Sequence, residues 1–513
     1  MRPKLVCSLF MILYFSLIAK AQEGYAPPVF ADSDRVQKME AVFPAIKELY
    51  KAYAVKEKIP GLAFGIVYGG RLVYADGIGL AGTDGNHPVT PDTDFRIASM
   101  TKSFTAMAIL KLRDENRLEL DDPVHLYIPE LGQTPPLTLD AAPVTIRQLL
   151  THTAGFPEDN PWADRQLQIT DSELLDFLSK GISTAYSPGT AFEYSNLGFA
   201  LLGQIITRVT GKPFEQYISE NILVPLGMDH TYWEYSDVPK SNLAKGYQLV
   251  GNDWIEEEIL HAGSFGATGG LITNMQDFSR YMQLHLEAWP PRNEPDNGPL
   301  NRATLREMHQ PGGISKLRTN TYDMDGRNCP RVTSYNCGLA WSKECHGRTV
   351  LEHSGGLPGY GSHWLFLPDY DLAIAAFTNL TYGIPSTVNV EVADMLIEIA
   401  SLNPRTLQPS KILAKRQAQL MSILPDWKDA KKSGIFSGNF FLDNDLTSLQ
   451  SHARQLFTKA GKIITVGPVI PVNRLRGYFV ITGERAVLEV WFTLSPENPP
   501  LIQEYKLSEG QNN

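Results

Sequence analysis

Strand-forming sequence sits at the two ends of a long stretch of this chain and is nearly missing between them. "GLAFGIVYGGRLVYADGIG" (61–79) is two β-rich runs around a Gly69-Gly70 turn, the pattern of a hairpin. β character returns only with "YNCGLAWS" (335–342), "RTVLEHSGG" (348–356) and "GSHWLFLPDYDLAIAAFTNL" (361–380), the last folding about Pro368-Asp369-Tyr370-Asp371. Helical patterns fill the middle: a segment opening near Ser99 and stopping around Asn116, then "DSELLDFLSKG", "NLGFALLGQIITRVTGKP" and "NMQDFSRYMQLHLEA". Two further helices bracket the whole. One covers 33–58, with Val36, Met39, Val42, Phe43, Ile46, Leu49, Tyr50 and Tyr53 at helical spacing; the other, "STVNVEVADMLIEIAS", ends near 401. A sheet built from both chain ends beside a helical insertion is an α+β arrangement, not alternating βαβ.

At 513 residues the chain is too long for one core. The first domain is expected over 30–401, followed by a polar helical linker over 402–431. Short strand-like runs separated by Gly, Asn or Pro then predict a small all-β domain, a sandwich or barrel, over 432–513. Residues 288–330, rich in Pro, Asn and Gly, predict a long surface excursion. Hydrophobic residues at 43% and charged residues at 20% suit a globular protein. The net charge of −10, with no run of Lys or Arg, argues against nucleic acid or anionic lipid as a partner.

Arg2 and Lys4 precede the apolar run Leu5–Ile18, and Ala19-Lys20-Ala21 follows with small residues where a signal peptidase reads. This predicts a signal peptide over 1–21 and an exported protein, periplasmic or secreted. The apolar run is short for a bilayer and no later one reaches eighteen residues, so no stable membrane span is expected after cleavage.

Cys329, Cys337 and Cys345 then remain, an odd number in an oxidising compartment. One disulfide and one buried thiol are expected, with the pairing open. No Cys-x-x-Cys or His-x-x-x-His spacing suggests a metal, and no cofactor motif is present. Asp323-Met324-Asp325-Gly326 lacks the later acidic ligand of a calcium loop and reads as a solvated turn. Ala262-Gly263-Ser264-Phe265-Gly266 imitates a nucleophile elbow, but "GATGGL" follows where an elbow needs a helix. Asn379-Leu380-Thr381 is a glycosylation sequon only in a eukaryotic host.

Three short motifs carry the chemistry. In "RIASMTKSFT", Ser99 and Lys102 stand at i and i+3 of a helix start, so the amine can reach the hydroxyl and accept its proton. In Tyr194-Ser195-Asn196, alternate residues of an extended segment place a phenol and an amide on one side. A phenol beside an ammonium can be drawn toward phenolate and act as a base. In His353-Ser354-Gly355-Gly356 the glycines let a substrate lie against a strand, and the imidazole can bind a carboxylate or relay a proton.

Ser-x-x-Lys, Tyr-x-Asn and His-x-Gly in this order, within "FRIASMTKSFT", "LLTHTAGFP", "YSPGTAFEYSNLGFALLGQII" and "LEHSGGLPGYGS", resemble the serine β-lactamase and penicillin-binding-protein superfamily. The tyrosine in the second motif points to its class C-like branch, which includes D-alanyl-D-alanine carboxypeptidases, D-aminopeptidases and esterases. The resemblance runs from about 35 to 400. It implies an antiparallel sheet flanked by helices with an all-helical subdomain, and a Ser99 acyl-enzyme. Lys102 and Tyr194 would share the proton transfers, and Asn196 would contact the substrate amide. His353, Ser354, Gly355 and Gly356 would line the substrate, with the Ser99 and Gly356 backbone N–H groups as the oxyanion hole. His152 is expected to shape the site. His353 stands where efficient class C β-lactamases carry lysine, which leans the expectation toward peptide amides or esters, including peptidoglycan-derived peptides. Lactam hydrolysis and a non-catalytic D-peptide-binding module are the alternatives. Oligomeric state is left open.

Overall fold

The computed structural model describes residues 25–85, 87–322 and 326–510. The expected signal peptide lies outside the described residues, as do Asp323, Met324 and Asp325. Two compact units form, one from residues 30–405 and one from 406–510 with 25–29.

Helix α1 (Arg35–Lys56) opens the larger unit, followed by strands β1 (Gly61–Tyr68), β2 (Arg71–Gly82) and β3 (His87–Pro88). The helical middle includes α2 (Thr101–Asp114), α3 (Asp171–Ser179), α4 (Asn196–Thr210) and α5 (Met275–Glu287). Then come β4 (Gly313–Arg318), β5 (Arg331–Asn336), β6 (Leu339–Glu344), β7 (Thr349–Leu357), β8 (Tyr360–Leu367), β9 (Leu372–Thr378) and α6 (Ser386–Asp394). The strands make one nine-stranded antiparallel sheet in the order β3-β2-β1-β9-β8-β7-β6-β5-β4. The two chain ends meet at its middle, where β1 pairs with β9 from Leu62↔Thr378 to Tyr68↔Leu372.

β1 is apolar along its length because both its faces are covered. Leu62, Phe64 and Ile66 join a core with Met39, Ile46 and Tyr50 of α1 and Val388 and Val392 of α6. Ala63 and Val67 face the other way, into the larger core that holds α2, α4 and α5. Period-two alternation thus divides one strand between two hydrophobic layers. The helical excursion buries α2 against the second layer. All its residues from Thr101 to Leu110 are buried, Lys102 included.

Strand, turn and cap chemistry follow the sequence. Gly69 and Gly70 both hold positive φ, as the tight β1–β2 turn requires. α3 starts with a reciprocal capping box between Thr170 and Glu173. The excursion over 288–330 is not wholly irregular: residues Arg302–Met308 form a short helix that buries Leu305. Cys329 and Cys345 form a disulfide, and Cys337 is a buried free thiol.

The smaller unit carries its expected strands, β10 (Ile463–Val466), β11 (Ile470–Asn473), β12 (Arg476–Gly483) and β13 (Val487–Leu494), plus β14 (Ile502–Glu509) at one edge. They form one sheet rather than a sandwich or barrel. Its core is closed by helices α7 (Lys411–Ile423) and α8 (Leu446–Ala460), which pack Leu413, Leu420, Ala453 and Leu456 against Phe479, Ile481, Val490 and Phe492. The stretch 402–431 is therefore packed structure, not a linker, because α7 has an apolar stripe to bury. The first of the strand-like runs expected in this region, "SGIFSGNFFLD" (433–443), forms no strand. Phe436 and Phe440 gather around Trp427, and Phe440–Asp443 form a helical turn. Among the described residues no helix is long and apolar enough to cross a membrane.

Candidate active site

Ser99 lies in a 3-10 turn, Ala98–Met100, that runs into α2, and the preceding Ala98 is held at φ 49°. An alanine in the left-handed region costs about 1 kcal/mol or more, so the surrounding packing must impose it. One source is visible. A Cβ on Gly355 of β7 would lie 2.3 Å from the Ile97 carbonyl oxygen, so only glycine allows β7 to press on this turn. Ser362 of β8 fixes the same carbonyl with a 2.7 Å hydrogen bond.

Lys102 is fully buried and sits about one helical turn from Ser99. Its Nζ is 2.9 Å from Ser99 Oγ, 2.6 Å from Asn196 Oδ1 and 3.0 Å from the Thr268 carbonyl oxygen. Burial pushes its pKa down from 10.5 to about 7, against the partial opposing pull of Asp164 and Asp159. The Tyr194 hydroxyl neighbours the Ser99 side chain, and Lys102 Nζ lies 5.2 Å from the Tyr194 ring centre. Ser99, Lys102, Tyr194 and Asn196 are thus brought together. The expectation that a neighbouring ammonium would lower the tyrosine is not met: burial raises Tyr194 above its ordinary range.

Asn196 opens α4 and is itself enclosed. Its Nδ2 donates to Asp159 Oδ1 at 3.2 Å and to Asn160 Oδ1 at 2.8 Å. Asp159 also accepts from the backbone N–H groups of Asn196 and Leu197 at 2.7 and 2.8 Å and from Ser195 Oγ at 3.1 Å. A carboxylate at this helix N-terminus satisfies orphan donors and complements the dipole. Replacing Asp159 with alanine leaves four donors unpaired in a buried place, and we expect a loss of roughly 3 kcal/mol of stability. Equilibrium unfolding in urea checks this; a loss below about 1 kcal/mol would contradict it.

His353 is buried and both its ring nitrogens are occupied. Nδ1 lies 2.6 Å from the Ser354 carbonyl oxygen, which can only accept, so Nδ1 carries the proton. Nε2, 2.8 Å from Tyr335 Oη, then accepts from the phenol. Burial drives its pKa down to about 3, so the imidazole is neutral near pH 7. It offers neither a positive charge nor a free N–H to a carboxylate. His152, held at φ 55°, accepts the Ser195 N–H on Nδ1 at 3.1 Å and packs on Tyr194, Tyr335 and Phe199. It forms a wall under the site.

β6 pairs with β7 only from Thr349 to Glu352, so among the described residues no strand covers that edge from His353 onward. Ser99, Tyr194, His353, Ser354 and Gly356 line one cavity of about 470 Å³ there. Asn160, Pro161, Asp164, Tyr382 and Ile384 complete its wall. Gly355 lies behind the cavity as a packing residue. Asp159, Asp164, Tyr335 and Tyr382 were not foreseen from sequence. The segment "EDNPWAD" after "HTAGFP" held the only signal, three carboxylates, Glu158, Asp159 and Asp164, around a helical turn with Pro161 near its start.

Comparison with known proteins finds relatives in sequence and in fold. The family model for Beta-lactamase matches residues 39–397. Protein flp of Staphylococcus aureus (strain MW2) is 29% identical over 376 residues, 73% of this chain and 67% of that protein. Beta-lactamase-like protein 4 of Dictyostelium discoideum is 27% identical over 409 residues, 76% of this chain and 69% of that protein. Among solved structures, the octameric penicillin-binding protein homologue from Pyrococcus abyssi aligns with a TM-score of 0.58 at 22% identity, covering 90% of this chain and 99% of that one. A D-stereospecific amidohydrolase from a Streptomyces species aligns at 0.52 and 24% identity, over 68% of this chain and 97% of its own. EstCE1, a hydrolase with promiscuous acyltransferase activity, aligns at 0.57 and 21% identity, over 71% of this chain and all of its own. With the match spanning well over half its length, the chain belongs to the Beta-lactamase family.

Proposed function

We propose that this protein is an exported serine hydrolase that works through a Ser99 acyl-enzyme on peptide amides or esters. One observation carries the reading: the three contacts of Lys102 Nζ. A neutral amine has two N–H donors and one lone pair. The Asn196 Oδ1 and the Thr268 carbonyl are both acceptors and take the two donors, which leaves the lone pair for the Ser99 O–H. A pKa near 7 makes that neutral amine abundant at neutral pH.

In the proposed reaction Ser99 Oγ attacks the substrate carbonyl while its proton passes to Lys102. The Ser99 and Gly356 backbone N–H groups hold the developing oxyanion. Tyr194, buried and protonated, hands a proton to the leaving amine or alcohol and is recharged by Lys102, which holds the proton taken from Ser99. Water then attacks the ester of Ser99 and releases the acid. Tyr194 serves here as a proton carrier, not as a standing phenolate. A neutral His353 in place of a lysine removes one attraction for the carboxylate of a β-lactam, which favours amides and esters over lactam hydrolysis.

A fluorophosphonate probe tests the reading on intact protein. Wild type is expected to take up one probe at Ser99, and Ser99→Ala none. Failure of wild type to react with fluorophosphonate and penicillin probes alike would leave only a binding module.

A further inference from the structure

We propose that the Asp164 carboxylate, held in place by the Tyr382 phenol, forms a subsite for a protonated primary amine, so that the preferred acyl group carries a free ammonium next to the bond Ser99 attacks. This rests on the serine-hydrolase reading above and names its substrate class. Both residues line the same cavity as Ser99, and Asp164 is 7% exposed.

Burial of a carboxylate is costly without a cation or a full set of donors. Asp164 has neither. Tyr382 Oη donates to its Oδ2 at 3.0 Å, its Oδ1 accepts no hydrogen bond among the described residues, and no Lys or Arg forms an ion pair with it there. The neighbouring Arg165 is turned away, paired with Glu257. Asp159, by contrast, spends its oxygens on the α4 N-terminus and has nothing left for a ligand.

The rest of the wall points the same way. Asp164 is the one acidic side chain among the described residues lining the cavity, and no lysine or arginine lines it. Lys102 lies beneath, its donors engaged by Asn196 and Thr268. His353 is neutral and internally bonded. A substrate carboxylate would therefore meet the negative charge of Asp164 and no positive side chain in the wall, with Lys102 below it partly neutral near pH 7. An ammonium meets a carboxylate with a free oxygen, in a place where water competes poorly. Burial holds the Asp164 pKa up to about 6, so it is still ionised near pH 7 and gains further from a bound cation.

Binding to full-length protein carrying Ser99→Ala, which cannot turn ligand over, tests the proposal. The probes are D- and L-phenylalaninamide and their N-acetyl forms at pH 7.5, with dissociation constants from saturation-transfer NMR. At least one free-amine enantiomer is expected to bind tenfold or more tightly than its N-acetyl form. Adding Asp164→Asn should erase that preference, whereas Asp164→Glu and Tyr382→Phe, which keep the carboxylate, should retain most of it. Equal or tighter binding of the N-acetyl forms, no detectable binding of the amines, or a preference that survives in Asp164→Asn would overturn the proposal. Should Asp164→Asn fail to fold, loss of the preference in folded Asp164→Glu and Tyr382→Phe together overturns it, and its retention supports it. Fluorophosphonate labelling of wild type reads the serine-hydrolase proposal separately, so failure of one is distinguishable from failure of the other.

Discussion

Lys102→Met is expected to lower kcat/KM for an aryl ester or amide by about 10³-fold or more, with KM changed little. The magnitude is that of losing a general base together with the activation of its nucleophile. Methionine fills much the same volume in the buried path of α2, so the substitution removes the lone pair and the two donors without opening a cavity. For wild type, kcat/KM should fall as pH drops below about 7, because protonated Lys102 has no lone pair for Ser99. The stability consequence runs in the same direction. Lys102 titrates at about 7 when folded and near its ordinary 10.5 when unfolded, so between these values the unfolded chain holds the extra proton. Stability from this group is therefore smallest below about 7 and rises toward 10.5. Lys102→Met should flatten that part of the stability profile in urea unfolding. A variant with a tenth or more of wild-type kcat/KM, or an unchanged acid limb, would remove Lys102 from the base role.

Some of this arrangement was legible in sequence because it is local. Ser99 and Lys102 are three apart on one helix, and their approach follows from helical geometry once α2 is recognised. The β1–β2 hairpin announces itself through Gly69 and Gly70 for the same reason. Asp164 and Tyr382 had no such signal. They are 218 positions apart and meet only because the sheet gathers both chain ends beside the helical insertion. Tyr335 and His353 also join across the sheet, on β5 and β7, and their contact decides how the imidazole is spent. A sequence motif specifies the residue but not its partners, so His353 looked available where it is occupied. In the smaller unit, α8 carries Leu446, Leu449, Ala453, Leu456 and Ala460 at helical spacing, but Gln450, His452, Arg454 and Gln455 dilute the stripe. The aromatic run at Phe440 and Phe441 has strand-like composition, yet a cluster around Trp427 claims it. Tertiary packing overrides propensity at such places.

Gly338→Ala is expected to destabilise the larger unit by roughly 2–5 kcal/mol and to cost about 100-fold or more in kcat/KM. Cys337 and Gly338 make the two-residue turn from β5 to β6, at φ 50° and 76°, the signs a tight hairpin needs. A β-carbon at 338 would lie 2.5 Å from Ser103 N, 2.6 Å from Ser103 Cα and 2.7 Å from Lys102 C. All three are backbone atoms of α2, so no side chain can swing aside. Either the hairpin lifts off or α2 shifts, and α2 carries both Lys102 and the turn that presents Ser99. Gly347 supplies the control. It stands between β6 and β7 at φ 78°, and a β-carbon there would meet nothing within 4 Å. Gly347→Ala therefore carries only the conformational cost, about 1–2 kcal/mol, and leaves the site undisturbed. Thermal melts and kcat/KM measured on the two variants side by side separate the terms. If Gly338→Ala melts and turns over like Gly347→Ala, the β5–β6 turn does not brace α2, and Ser99 must owe its position to the contact at Gly355 alone.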